Sequence, residues 1–161
     1  MNTMSAFDLK GKKGLVLGLA NEHSIAWGCA RQAQAMGAEL VASCLNDKAR
    51  PFVEPLTQPL GMDLQTCNIE TPEELEKLVA YVAAKLGRLD FVIHSIAWAP
   101  LADLHGRVID SSSAGFARAM EVSCHSFATL AKLCAPHMTQ GGSMVTMSYL
   151  GADEAVPHYG L

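Results

Sequence analysis

Short unbroken apolar runs alternate along the chain with longer stretches in which apolar residues recur at threes and fours. Leu15, Val16 and Leu17 form the first run and end on Gly18, which suits a strand buried on both faces. Asn21 to Ser24 are turn formers. From Ile25 the pattern is helical, with Ile25, Ala26, Cys29, Ala30, Ala33 and Met36 on one stripe. Ser24 stands where an N-cap belongs, and Gly37 where the helix closes. Glu39 to Cys44 predicts a second strand, followed by a helix that Pro51, Pro55 and Pro59 make short or broken.

Asp63 to Ile69 predicts a third strand. Thr71-Pro72-Glu73-Glu74 then opens a helix, with Thr71 as N-cap, proline in the first turn and Glu74 at the capping-box position. Leu75, Leu78, Val79 and Val82 give its apolar face and Gly87 its end. Leu89 to Ser95 predicts a fourth strand, Phe116 to Met138 a long helix, and Ser143 to Ser148 a fifth strand. Strands and helices alternate without repeat or linker, so the pattern predicts an α/β protein. Its expected architecture is a Rossmann-like, doubly wound parallel sheet in a single domain over residues 1–161.

The first strand, glycine turn and helix start together make an anion site, since free N–H groups and the helix dipole converge there. A dinucleotide pyrophosphate is the usual occupant. Of the G-x-G-x-x-G fingerprint only Gly18 and Gly28 are in place. The end of the second strand normally selects the cofactor, through an acidic residue for NAD or an arginine for NADP. Here it reads Leu45-Asn46-Asp47-Lys48, then Arg50, which leaves both open.

Composition narrows the setting. The 161 residues are 50% hydrophobic and 17% charged, which is globular, and the formal charge of −4 offers no general pull toward nucleic acid or anionic membrane. No apolar run approaches the roughly 20 residues needed to span a bilayer, and the first residues lack a signal peptide's apolar region. The five cysteines are an odd number without a C-x-x-C pair, which predicts free thiols and a cytoplasmic setting. The six histidines have no metal-ligand spacing, so no metal site is expected.

Two later motifs are specific enough to name a family. His94-Ser95-Ile96-Ala97-Trp98-Ala99-Pro100, and Ser148-Tyr149-Leu150-Gly151-Ala152 with Pro157 and Tyr159 beyond, resemble the bacterial enoyl-acyl-carrier-protein reductases. These are divergent short-chain dehydrogenases. Gly18, Ser24-Ile25-Ala26 and Gly28 are similar to that family's variant nucleotide turn. The resemblance runs from about Leu9 to Leu161.

The resemblance implies reduction of a trans-2-enoyl thioester on acyl carrier protein, usually with NADH and with NADPH left open. It makes Tyr159 the hydrogen-bond donor to the thioester oxygen, and Tyr149 the second tyrosine of the substrate pocket. On the cofactor side, Gly18, Ser24 and Ile25 match pyrophosphate and ribose contacts, Asn68 and Ile69 adenine contacts, and Ser95, Ile96 and Ala97 the passage beside the nicotinamide ribose. The family often has glutamine, aspartate and glycine where Leu45, Asn68 and Ala97 stand. Trp98 is expected as a pocket wall or core residue, and Ser123 and Cys124 as packing residues. A homo-oligomer, tetrameric for the full-length family, is implied as well.

The family's lysine would fall at position 166, and two more βα units would follow. The chain is therefore expected to be the N-terminal part of a reductase, with little or no activity alone and an exposed edge beside its fifth strand. Two alternatives stand beside this reading. One is a carbonyl-reducing short-chain dehydrogenase, which would show T-G-x-x-x-G-I-G and N-A-G instead; the other is a nucleotide-binding module without chemistry.

Overall fold

The strand at the centre of the fold is apolar at nearly every position because helices cover it on both sides. In the computed structural model, which describes residues 8–161, Lys13–Leu19 forms this strand, β1. It pairs with Glu39–Cys44 (β2) on one side and Phe91–His94 (β4) on the other. Asp63–Thr66 (β3) lies beyond β2 and Ser143–Thr146 (β5) beyond β4. All four pairings are parallel, in the order β3-β2-β1-β4-β5. Both halves of the sheet thus wind outward from β1, as the alternating pattern predicts.

The helices form two layers. Ile25–Ala35 (α1) and Arg50–Thr57 (α2) pack with Val16, Leu19, Leu40, Ala42 and Cys44 on one face. Pro72–Leu86 (α3) and Ser126–Cys134 (α6) pack with Leu15, Leu17, Val41 and Val92 on the other. Leu17 and Leu19 are two apart, yet they enter opposite layers. The pairing with β2 slips between them, so Gly18 is an extra residue in the strand and reverses the alternation.

Several local expectations change on folding. The buried stripe of α1 is Ala26, Trp27, Ala30 and Ala33, whereas Ile25 is 61% exposed. Trp27 buries the larger surface, so the helix turns to admit it. Ser24 has the extended backbone of an N-cap but makes no capping bond. Its hydroxyl instead donates to the carbonyl of Asn21 at 2.7 Å. Gly37 closes α1 as expected: its N–H reaches Gln34 and that of Ala38 reaches Ala33. The capping box at α3 does not form. The Glu74 carboxylate accepts the N–H of Asn68 at 2.8 Å and braces the loop after β3.

A single helical turn over Leu101–Leu104 (α4) follows β4, and the expected long helix after it is divided. Ser113–Met120 (α5) is capped by Ser112, whose hydroxyl accepts from Gly115, and a wider π-turn over Glu121–His125 joins it to α6. β3, β4 and β5 stop at Thr66, His94 and Thr146, shorter than expected, because the following residues turn away to form loops. β5 is an edge strand with Val145 48% exposed, and Phe116 and Met120 on α5 are exposed too.

At the sheet's other end, two carboxylates tie strands to neighbours. Asp63 accepts from Tyr81 and Gln65, both at 2.7 Å, and from Lys85. Asp90 accepts the N–H of Lys13 at 2.9 Å and the guanidinium of Arg88 at 3.2 Å. Burial pushes both carboxyls up, but these donors outweigh it and hold both below their ordinary values. Stability from these groups is therefore full above the ordinary carboxylate pKa of about 4, and is lost as pH falls through the lower folded values. Denaturant titrations at pH 6 and pH 3 are expected to show this loss, with Asp90→Asn flattening it. An unchanged pH dependence in that variant would remove Asp90 from the account.

Candidate functional site

The C-terminal ends of β1, β2, β3 and β4 open into one cavity of about 370 Å³. This is the place where the winding reverses, since β1 is followed by β2 on one side and flanked by β4 on the other. Gly18 forms its floor with a φ of +98°. A β-carbon there would sit 2.0 Å from the Ser95 carbonyl oxygen. Only glycine allows the two strand ends to approach this closely.

Gly18, Asn68, Ile69, Ser95, Ile96 and Ala97 all line this cavity, so six of the residues singled out in the sequence meet in one place. Ser24 and Ile25 stand outside its lining, at the adjoining start of α1. The Ser24 hydroxyl lies 3.4 Å from the N–H of Ala20, which does line the cavity. Ser24 therefore shapes the turn rather than capping the helix. The Asn68 amide oxygen accepts from Glu70 at 3.1 Å and its N–H is held by Glu74, which fixes this wall from both ends.

Leu45 is 52% exposed at the lip of the cavity. Arg50, beyond it, is drawn to the Leu64 carbonyl at 3.3 Å and to Glu54 at 3.7 Å. Cys44 and Cys67 also line the cavity. Burial pushes the Cys44 thiol up and Cys67 up to about 12, so neither is a thiolate at neutral pH. All five cysteines are free.

Sequence reasoning missed the residues that hold the fourth wall. The Ser123 hydroxyl accepts the N–H of Trp98 at 2.9 Å and donates to its carbonyl at 3.0 Å. Ser123 is thus a clamp on the backbone, not a packing residue. The Arg118 guanidinium lies 4.3 Å from the Trp98 ring centre and pairs with Glu70 at 2.7 Å. It joins the loop after β3 to the loop after β4. Trp98 is a wall, as expected.

A second, larger groove of about 660 Å³ with mostly apolar walls adjoins the cavity, and Ala97 and Trp98 line both. Tyr149 and Tyr159 line the groove with ring centres 5.1 Å apart. Tyr149 lies three residues past the end of β5. Tyr159 is brought back by a short antiparallel bridge to His105 and by the N–H of Gly160 on the Leu104 carbonyl at 2.8 Å. Desolvation, and then its neighbour Tyr159, push the Tyr149 hydroxyl up, so it stays protonated at neutral pH. The arrangement therefore places two tyrosine hydroxyls in an apolar groove beside the cavity at the strand ends.

A parallel, doubly wound sheet with a cavity at the reversal of its winding defines a Rossmann-like α/β domain. The family model described as Enoyl-(Acyl carrier protein) reductase matches residues 18–161, and the chain belongs to that family. Among similar proteins, an enoyl-(acyl-carrier-protein) reductase (NADH) of Nostoc sp. is 42% identical over 156 residues, covering 94% of this chain and 60% of its own length. A crystal structure of the reductase from Anaplasma phagocytophilum in complex with NAD is 39% identical with a TM-score of 0.90, covering 94% of this chain and 58% of that one. The Bacillus cereus reductase, solved with NADP+ and an indole naphthyridinone, is 33% identical with a TM-score of 0.88, covering 92% and 59%. The chain thus spans about three fifths of the length of these relatives.

Proposed function

We propose that this chain is the dinucleotide-binding part of an NADH-dependent enoyl-acyl-carrier-protein reductase of bacterial type II fatty-acid biosynthesis. The substrate class is a trans-2-enoyl thioester carried on acyl carrier protein. The observation that carries the reading is the wall shared at Ala97 and Trp98. It sets a glycine-floored cleft directly against an apolar groove with two tyrosines.

The residues fit a dinucleotide. A β-carbon at Gly18 would fill the cradle, and its absence leaves room for a pyrophosphate beside the start of α1. Gly18, Ser24 and Ile25 would hold the pyrophosphate and ribose, Asn68 and Ile69 the adenine, and Ser95, Ile96 and Ala97 the nicotinamide ribose. When bound, the nicotinamide supplies the hydride of the reduction. Tyr159 donates a hydrogen bond to the thioester oxygen as negative charge develops there, which stabilises the transition state more than the ground state. Tyr149 walls the acyl groove and keeps its own proton. Arg50, the arginine nearest the end of β2, is held by the Leu64 carbonyl and Glu54 rather than turned to a 2′-phosphate, which favours NADH over NADPH. A homo-oligomer in the cytoplasm belongs to the same reading. Among the described residues, no helix is long and apolar enough to cross a membrane.

Fluorescence titration of the purified chain with NADH and NADPH tests this, with crotonyl-thioester reduction followed alongside. Saturable binding with NADH the tighter ligand is expected, and turnover is expected to be slight from these 161 residues by themselves. Absence of saturable binding to a folded chain would overturn the reading.

A further inference from the structure

The cleft's fourth wall depends on a buried histidine to which the functional reading assigns no role. His94, the last residue of β4, is fully buried. Its Nδ1 lies 2.9 Å from the Thr146 hydroxyl on β5, and its Nε2 lies 2.8 Å from the Ser126 hydroxyl at the start of α6. The Ser126 oxygen also lies 2.7 Å from the Val122 carbonyl, the usual acceptor for a serine hydroxyl inside a helix. A proton given to that carbonyl leaves Ser126 to accept from Nε2–H of His94, and the bare Nδ1 to accept from Thr146. Burial holds the ring below its ordinary pKa, which keeps it neutral.

This bond does not stand alone. Ser126 ends the turn that carries Ser123, and Ser123 grips both backbone groups of Trp98. The wall residues Ser95, Ile96 and Ala97 are thus strung between two points, residues 94 and 98, both fastened to the same helical turn. Gly18 touches this span at the Ser95 carbonyl, so any slack in it would alter the cradle.

We propose that His94 is a positioning residue of the dinucleotide cleft. In its Nε2–H form it fastens the end of β4 to Ser126, and the Ser123–Trp98 clamp holds the far end of the same wall. The inference rests on the dinucleotide reading of the cleft.

Three variants of the 161-residue chain test it: Ser126→Ala, His94→Phe and His94→Gln. The Gln amide N–H can reach the place of Nε2 and keep the bond to Ser126. Ser126→Ala and His94→Phe are expected to weaken NADH binding about tenfold, the scale of one buried hydrogen bond. They should also speed amide exchange at Ser95 and Trp98 while leaving Leu15 and Val16 protected. His94→Gln is expected to restore most of the affinity. Unchanged affinity, failure of the Gln variant to rescue, or exchange that rises evenly over the whole sheet would each overturn the proposal. If His94→Phe does not fold, the smaller change Ser126→Ala decides. Should the folded wild-type chain fail to bind NADH, the dinucleotide reading falls. The clamp is then judged separately by exchange in Ser126→Ala and by the nitrogen NMR signals of His94. A proton on Nδ1 would refute it.

Discussion

Gly18→Ala is expected to abolish useful NADH binding and to lower stability by about 3 kcal/mol, or roughly 10 °C in Tm for a chain of this size. Two costs combine. A φ of +98° strains any residue with a side chain, and the new methyl would overlap the Ser95 carbonyl at 2.0 Å. Relief requires the β4 end to withdraw from β1, which opens the cradle at the place where the pyrophosphate would rest. Thermal melts and an NADH titration check both parts. A variant as stable as the wild type with full affinity would show that the strand ends can separate freely, and would remove Gly18 from the site.

Leu130→Ala is expected to cost about 3 to 4 kcal/mol, seen as a lower denaturant midpoint at unchanged slope. Leu130 is fully buried where α6 meets the layer of α3 and the sheet. Its removal leaves a cavity walled by side chains that are themselves fixed on two elements, so little collapse can fill it. A loss below about 1 kcal/mol would show that α6 shifts inward instead.

The sheet was legible because parallel strands are apolar on both faces and so stand out as short unbroken runs. Gly18 and the loops after β3 and β4 were legible for a related reason: in such sheets the ligand end is the carboxyl end of the strands. The phase of α1 was not. Ala26, Ala30 and Ala33 belong to two overlapping stripes, one with Ile25 and one with Trp27, and only the packed sheet chooses between them. The π-turn was hidden because a single widened turn leaves the apolar spacing on either side intact. Glu74 satisfied a capping signature, yet its carboxylate found the Asn68 N–H instead. Ser123 and Arg118 could not be read at all, since their partners Trp98 and Glu70 lie 25 and 48 residues away.

The strand order also sets a timetable for the chain. β1, α1, β2, α2 and β3 pair with near neighbours and can assemble as soon as they exist. The other flank of β1 has to wait. Lys13 meets its partner Asp90 from 77 positions away along the chain, so closing that pair costs the entropy of a long loop before it returns any contact. Until then the middle strand of the finished sheet is an outer strand, with Leu15 and Leu17 bare on one side. A ribosome emitting this chain therefore holds a half-built sheet for the whole interval between β3 and β4, and the arrival of Phe91–His94 buries that flank and gives the cleft the strand end from which its remaining wall is hung.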